Sequence, residues 1–360
     1  MKTSILHSVK SALVLLLALT VVGGAQAATR TLSFATPDSP AGTEIQKVWE
    51  WWAEQINQQT HGTLKIKFYY MGSLVKLKDT EQAVSTGIAD IGFMSPAYTP
   101  DVLPLWYLEN THNGPSDQYV VAKAFHDVRE RYQPLKDEEK ESNLKYIMNV
   151  SNGAQVYLST TRPYLTPGDF KGDKVRMPGS TAKVAQLAHW DVTPVSLYFA
   201  QIYSAMSRGT IDGTTTYIPL IASFKQNEVG KYVVEPKLGQ NSNVVMMNRH
   251  TWNSLTDSQK KVINGLEDEL LVKTSHASML EEAHQRKALQ SDPKYPLTFK
   301  TITEAQREKW TKGMELGDVE MVKKMSQWDA HAGELFHLYE AEIRKVAKDV
   351  AENGYPWDQQ

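Results

Sequence analysis

The chain of 360 residues contains no cysteine. That excludes disulfides, thiolate metal sites, iron–sulfur clusters and cysteine nucleophiles. An excess of charge is missing as well: 39 lysines and arginines face 41 acids, a formal net charge of −2. Nothing in that balance calls for nucleic acid or an anionic membrane as partner. With 21 glycines and 16 prolines, collagen-like and low-complexity chains are excluded. The usual catalytic signatures are absent too: no G-x-G-x-x-G, Walker A, H-E-x-x-H, EF-hand loop or G-x-S-x-G occurs. Ser180 and Lys183 fit S-x-x-K, but the K-T-G that a penicillin-binding enzyme also needs is not there. Ser180 reads more simply as the cap of the helix after Pro178 and Gly179. The histidine pairs His276/His284 and His331/His337 lack ligand spacing on one helical face, so they read as solvated helix residues. No metal, cofactor or catalytic residue is expected.

Long apolar runs are limited to one, residues 12–22. It follows Lys2 and Lys10 and precedes Ala25, Gln26 and Ala27, the small-x-small site of a secretory signal peptide. The run is short for a bilayer span. Residues 1–27 therefore read as a cleaved export signal, with an uncleaved anchor as the competing reading. The remaining chain, roughly 330 residues, is then a soluble exported protein held by its core alone, which its length can supply.

What is present is an α/β pattern. Residues 31–35 read as a strand. Ile45, Val48, Trp49, Trp52 and Ile56 recur at helical spacing, and Leu64, Ile66 and Phe68 alternate with polar neighbours as in a strand. A short helix over 79–87 and a buried strand over 90–94 complete a strand–helix–strand–helix–strand unit, the sign of a helix-covered parallel sheet. The pattern restarts further on, with strands over 145–150, 155–159, 174–177, 191–195, 210–212 and 243–247, helices over 180–189 and 200–207, and a change of unit near Asn152 and Gly153. Thr256 with Gln259, and Thr303 with Gln306, form capping boxes. The first opens a helix expected to reach about Leu289, the second one running toward Trp328; a third helix covers 331–352. Residues 28–152 with about 241–280 are expected as domain I. Residues 153–240 with part of the C-terminal helices are expected as domain II. With no linker-like stretch between them, a long helix lying across both would join them.

Of the ten arginines, only Arg176 is flanked by apolar residues on both sides, Val175 and Met177. In a strand its side chain points opposite to theirs, and a buried guanidinium needs a partner. Its planar fork suits bidentate capture of a carboxylate; an internal ion pair with an Asp or Glu is the competing reading. Aromatics gather nearby in sequence: Tyr198 and Phe199, Tyr217 after Thr214, Thr215 and Thr216, and Tyr98 after Ser95. Residues 95–98 and 214–217 follow predicted strands, where α/β sheets hold ligands, although core packing is the commoner fate of an aromatic.

Taken together, these residues resemble a known family. Leu32, Ser33 and Phe34 with the following helix, then Gly72, Ser73 and Leu74, then residues 84–91 follow it. The strongest part is residues 167–178, containing Lys174, Arg176 and Pro178, followed by Thr193 and Pro194, residues 201–206 and residues 209–213. Over nearly the whole exported chain it is similar to the DctP-type solute-binding subunits of TRAP transporters, the tripartite ATP-independent periplasmic carriers of organic acids. The resemblance implies a two-domain periplasmic binding protein fold, crossing strands, a long helix spanning both domains, and no catalysis. It implies that Arg176 forms a salt bridge to a ligand carboxylate and that Phe199 packs near the ligand, and it sets Ser95 and Tyr98 at loop positions that contact ligand in some members. It also implies a monomer in the periplasm serving the TRAP membrane subunits. Two positions depart from the pattern. Gln155 and Val156 stand where some members carry a second arginine, and Thr216 replaces a frequent asparagine. A neutral second anchor favours a monocarboxylate such as a keto, hydroxy or aromatic acid. The alternatives are a binding protein of an ATP-driven importer and, in another class, a secreted hydrolase, for which no carboxylate pair stands out.

Overall fold

The computed structural model describes residues 29–359, apart from residues 39, 41 and 154; the segment read as an export signal lies outside them. Eleven strands are described: β1 (Arg30–Ala35), β2 (Leu64–Tyr69), β3 (Ile91–Met94), β4 (Leu144–Ser151), β5 (Val156–Ser159), β6 (Lys174–Arg176), β7 (Thr193–Val195), β8 (Gly213–Thr216), β9 (Tyr232–Val234), β10 (Ser242–Asn248) and β11 (Thr298–Lys300). They form two sheets, ordered β2-β1-β3-β10-β4 and β11-β9-β5-β8-β6-β7. Sheet membership changes between β4 and β5, between β9 and β10, and a third time between β10 and β11.

Neither sheet is wholly parallel. β1, β2 and β3 pair in parallel, as do β6, β7 and β8, but β10 runs antiparallel to β3 and β4, and β5 antiparallel to β8 and β9. The reversed strand in each sheet is the one by which the chain first enters it from the other. The first two crossings are bonded side by side: Asn152 N–H donates to Asn241 O at 2.8 Å, Ser151 Oγ to Gln240 Oε1 at 2.7 Å and Asn152 Nδ2 to Asn241 Oδ1 at 3.0 Å.

Local chemistry explains the first unit. Thr43 caps helix Glu44–Gln59 by accepting from Gln46 N–H, and its apolar stripe buries Val48, Trp49, Trp52 and Ile56. Phe34 of β1 meets Trp49 edge-on at 5.3 Å. Each such ring contributes about 1.5–3 kcal/mol by burial, with the edge contact adding about 0.5–1.5 kcal/mol.

Helix Glu267–Ser291 buries Leu270, Leu271 and Ala277 in the core of the first sheet and Leu289 in a core of the second. It is the long helix spanning both units. Arg286 on it pairs with Glu235 at the start of the second crossing. A second helix does the same: Glu304–Met325 buries Trp310 and Met314 against the second sheet and Met321 and Met325 against the first.

Four expectations need correction. The helix opened by Thr256 stops at Gly265 and restarts at Glu267: glycine is a poor helix former, and three acids, Glu267, Asp268 and Glu269, favour a new N-terminus. The strand expected at 210–212 lies instead at Gly213–Thr216, because the ladder to β5 pairs Gly213 with Ser159 and Thr216 with Val156. Helix Gly179–Leu187 begins at the Pro178 cap without a side-chain hydrogen bond, so Ser180 lies inside its first turn. His276 is not merely solvated; it stacks on Trp357 at 4.5 Å.

Candidate functional site

Arg176 ends β6, with Val175 and Met177 buried in the core on the other face. The parallel register sets it beside Val195 of β7 and Thr214 of β8. Its Nε donates to Leu197 O at 3.1 Å and its Nη1 to Thr215 O at 3.2 Å, and the guanidinium lies 5.3 Å from the centre of the Phe199 ring. Phe199 is held in turn by an edge contact with Phe224 at 5.0 Å. Two carbonyls and a ring face offer partial negative charge only. Among the described residues no acid forms an ion pair with Arg176. Burial pulls its pKa below the usual value, with Tyr217 and Tyr98 acting the other way. The guanidinium is thus half-buried, immobilised and without a counter-charge, a state that costs free energy unless an anion arrives.

Near it a partly open cavity lies between the units; Arg176 is not among the described residues that line it, and Tyr217, which lines it, acts on Arg176 electrostatically. The first unit supplies Ala97, Tyr107, Asn110, Thr111 and His112, and the second Gln155, Tyr157, Pro178, Ser180, Thr181 and Tyr217; Gln240 and Asn241 come from the crossing before β10 and Met314 from helix Glu304–Met325, the second spanning helix. None of the described residues lining it is a lysine or arginine. Tyr217 caps the start of helix Ile218–Ser223. Burial pushes its hydroxyl up to about 12, against the opposing influence of a hydrogen bond with Gln155 and of Arg176. Gln155 Oε1 also accepts from Thr181 Oγ1 at 3.1 Å. The wall at Thr111 is fixed by the crossing before β10: Gln240 N–H donates to Thr111 O at 2.9 Å. Gly239 has φ of +60°, and a Cβ there would lie 2.4 Å from the carbonyl oxygens of Thr111 and His112. Only glycine fits that close approach.

The residues expected from the sequence divide into three groups. Gln155 and Tyr217 line the cavity. Arg176, Phe199 and Tyr98 gather beside it, Tyr98 being close enough to act electrostatically on both Arg176 and Tyr217. Ser95 is buried where the chain leaves β3, one turn before Tyr98, which is half exposed. Thr216, expected at the ligand, is instead fully buried, with its hydroxyl donating to Gln226 Oε1 at 2.8 Å. It lies on β8 rather than in a loop, on the face shared with Val156. Missed altogether were Tyr107, Thr111, Tyr157, Gln240 and Asn241. Tyr157 reads as an ordinary strand aromatic, and residues 107–112 carry no periodicity that would single them out.

Over residues 34–324 the chain matches the family described as bacterial extracellular solute-binding protein, family 7 (DctP). The C4-dicarboxylate-binding periplasmic protein DctP of Rhodobacter capsulatus is 25% identical over 284 residues, 76% of this chain and 80% of that protein. A TRAP solute-binding protein from Rhodoferax ferrireducens, solved in complex with copurified benzoate, superposes with a TM-score of 0.78 at 21% identity, covering 89% of this chain and 99% of that one. One from Bordetella bronchiseptica, with (R)- and (S)-mandelate bound, gives 0.74 at 20% identity over 88% and 99%. At these identities the structural likeness is one of fold.

Proposed function

The chain belongs to family 7 of the bacterial extracellular solute-binding proteins, and from that premise we propose that it captures an organic monocarboxylate between its two units and delivers it to the membrane subunits of a TRAP transporter. Arg176 takes the carboxylate through its planar fork, and the cavity beside Tyr217 and Gln155 holds the rest of the molecule. The observation that carries this reading is a half-buried guanidinium fixed by two carbonyls and a ring, with no acid of its own. Arg129, buried in the first core, is by contrast paired with Glu139. Gln155 supports one carboxylate rather than two, since a second anion in the cavity would find no cation among the lining residues and would be buried at a cost of several kcal/mol. The relatives solved with benzoate and with mandelate hold acids of this kind. The protein acts in this reading as a carrier from the periplasm, as a monomer, without catalysis, metal or cofactor. Calorimetry with benzoate, mandelate and small keto and hydroxy acids tests it. At least one should bind the wild type, and Arg176→Lys should bind poorly because an ammonium cannot reproduce the two-pronged contact. Undiminished affinity in Arg176→Lys and Arg176→Ala would overturn it.

A further inference from the structure

Two hydroxyls at the cavity are without partners. Thr111 Oγ1 and Tyr157 Oη are both inaccessible to solvent and make no hydrogen bond, and both residues line the cavity while being 4% and 1% exposed overall. Buried hydroxyls almost always find a partner. They come from different units: Thr111 belongs to the first, strapped by Gln240, and Tyr157 to β5 of the second. Tyr157 is held rigid, stacked at 4.6 Å on Trp310 of the spanning helix and in register with Thr215, whose own hydroxyl is orphaned too. Burial keeps the Tyr157 hydroxyl protonated far above its ordinary range, so it is available as a donor.

We propose that Thr111 and Tyr157 form a second, uncharged recognition point in the cavity, which reads a hydroxyl or carbonyl oxygen of the ligand at a distance from its carboxylate. The inference rests on the carboxylate reading of Arg176 and narrows its ligand class to acids carrying such an oxygen. A second carboxylate is disfavoured there. The cavity lacks a cation, and its one histidine, His112, is held by Asp318 through both Nδ1 at 3.2 Å and its backbone N–H at 2.6 Å. Because the two hydroxyls sit on different units, a ligand whose polar oxygens satisfy both also ties the units together. Prearranged donors lose little freedom on binding, and an acid lacking the oxygen leaves them unpaired.

The test compares matched acids, benzoate with 3-hydroxybenzoate and propionate with lactate, by calorimetry on wild type, Tyr157→Phe, Thr111→Val and Arg176→Ala. Wild type should prefer the hydroxylated member of at least one pair by about tenfold or more. In Tyr157→Phe and Thr111→Val the hydroxylated acid should lose affinity far more than its parent, so that the preference falls to about threefold or less. Free of ligand, Tyr157→Phe should melt no lower than wild type, since the hydroxyl it removes bonds nothing. Equal binding within each pair, with both members lost in Arg176→Ala, would overturn the second recognition point and leave the carboxylate reading standing. No binding of any of the four acids by wild type would overturn both. A clear drop in the melting temperature of free Tyr157→Phe would mean the hydroxyl has a structural partner and would also overturn the inference.

Discussion

Two arginines in this molecule are taken out of water in opposite ways. Arg129, on helix Gln118–Arg131, gives Nε and Nη2 to the two oxygens of Glu139 at 2.8 and 2.9 Å, meets Glu130 as well, and lies 4.6 Å over Tyr146. Arg176 has an equivalent ring but only carbonyls in place of carboxylates. Burial lowers the pKa of both; around Arg129 the two glutamates more than reverse that, and around Arg176 no acid does. The fold can therefore satisfy a buried guanidinium completely where stability is the only demand. That it leaves the second one open, at the carboxyl end of a strand and near a cavity, is the contrast on which the binding role proposed for Arg176 rests.

The comparison breaks first at Arg129. Arg129→Ala strands Glu139 in the core and should destabilise the protein by about 3–5 kcal/mol, measured by urea unfolding. Arg176→Ala should unfold close to wild type without ligand, yet lose about 2–5 kcal/mol of binding, some 30- to several-thousand-fold in affinity. If the two substitutions cost the same stability, the distinction drawn between them is wrong.

Acids without a cation sharpen the contrast. Glu109 accepts from Asn149 Nδ2 at 2.8 Å, and Glu138 from the backbone N–H groups of Leu105 and Trp106; neither has a basic partner. Burial raises each to about 8. Between the unfolded value near 4.5 and the folded value near 8 the native state holds more protons than the unfolded chain, so these two groups make stability fall as pH rises through that window. Glu109→Gln should flatten the decline seen between pH 5 and pH 8 in denaturant titrations. A decline as steep as in wild type would show that Glu109 is already ionised in the native protein.

The smallest effect concerns the facing unit. Tyr98 is half exposed and reaches the Arg176 region from the first unit. Tyr98→Ala should weaken closure more than the docking of the carboxylate, because a ligand held by one wall shifts the open–closed balance less. Small-angle scattering should then show a smaller contraction on saturation than in wild type; an equal contraction would mean that Tyr98 takes no part.

The elements that carry their own periodicity were legible in the sequence: β2 from Leu64, Ile66 and Phe68, helix Glu44–Gln59 from its tryptophans, and the capping boxes at Thr256 and Thr303. Arg176 stood out because a charged residue between Val175 and Met177 conflicts with its surroundings. Three-residue strands such as β9 and β11 were not legible, since pairing with other strands rather than local pattern makes them. The same holds for the site. Whether the Thr216 hydroxyl faces ligand or Gln226 depends on β8 starting at Gly213, and that start is set by its ladder to β5. Thr111 and Tyr157 line one cavity only because the chain passes back and forth between the sheets.

The most direct test is the structure of the protein with its bound acid. Both carboxylate oxygens should lie about 2.7–2.9 Å from two nitrogens of the Arg176 guanidinium, with the remainder of the ligand between Tyr217 and the wall at Thr111. A carboxylate bound elsewhere in the cleft, with Arg176 still facing only Leu197, Thr215 and Phe199, would contradict the account.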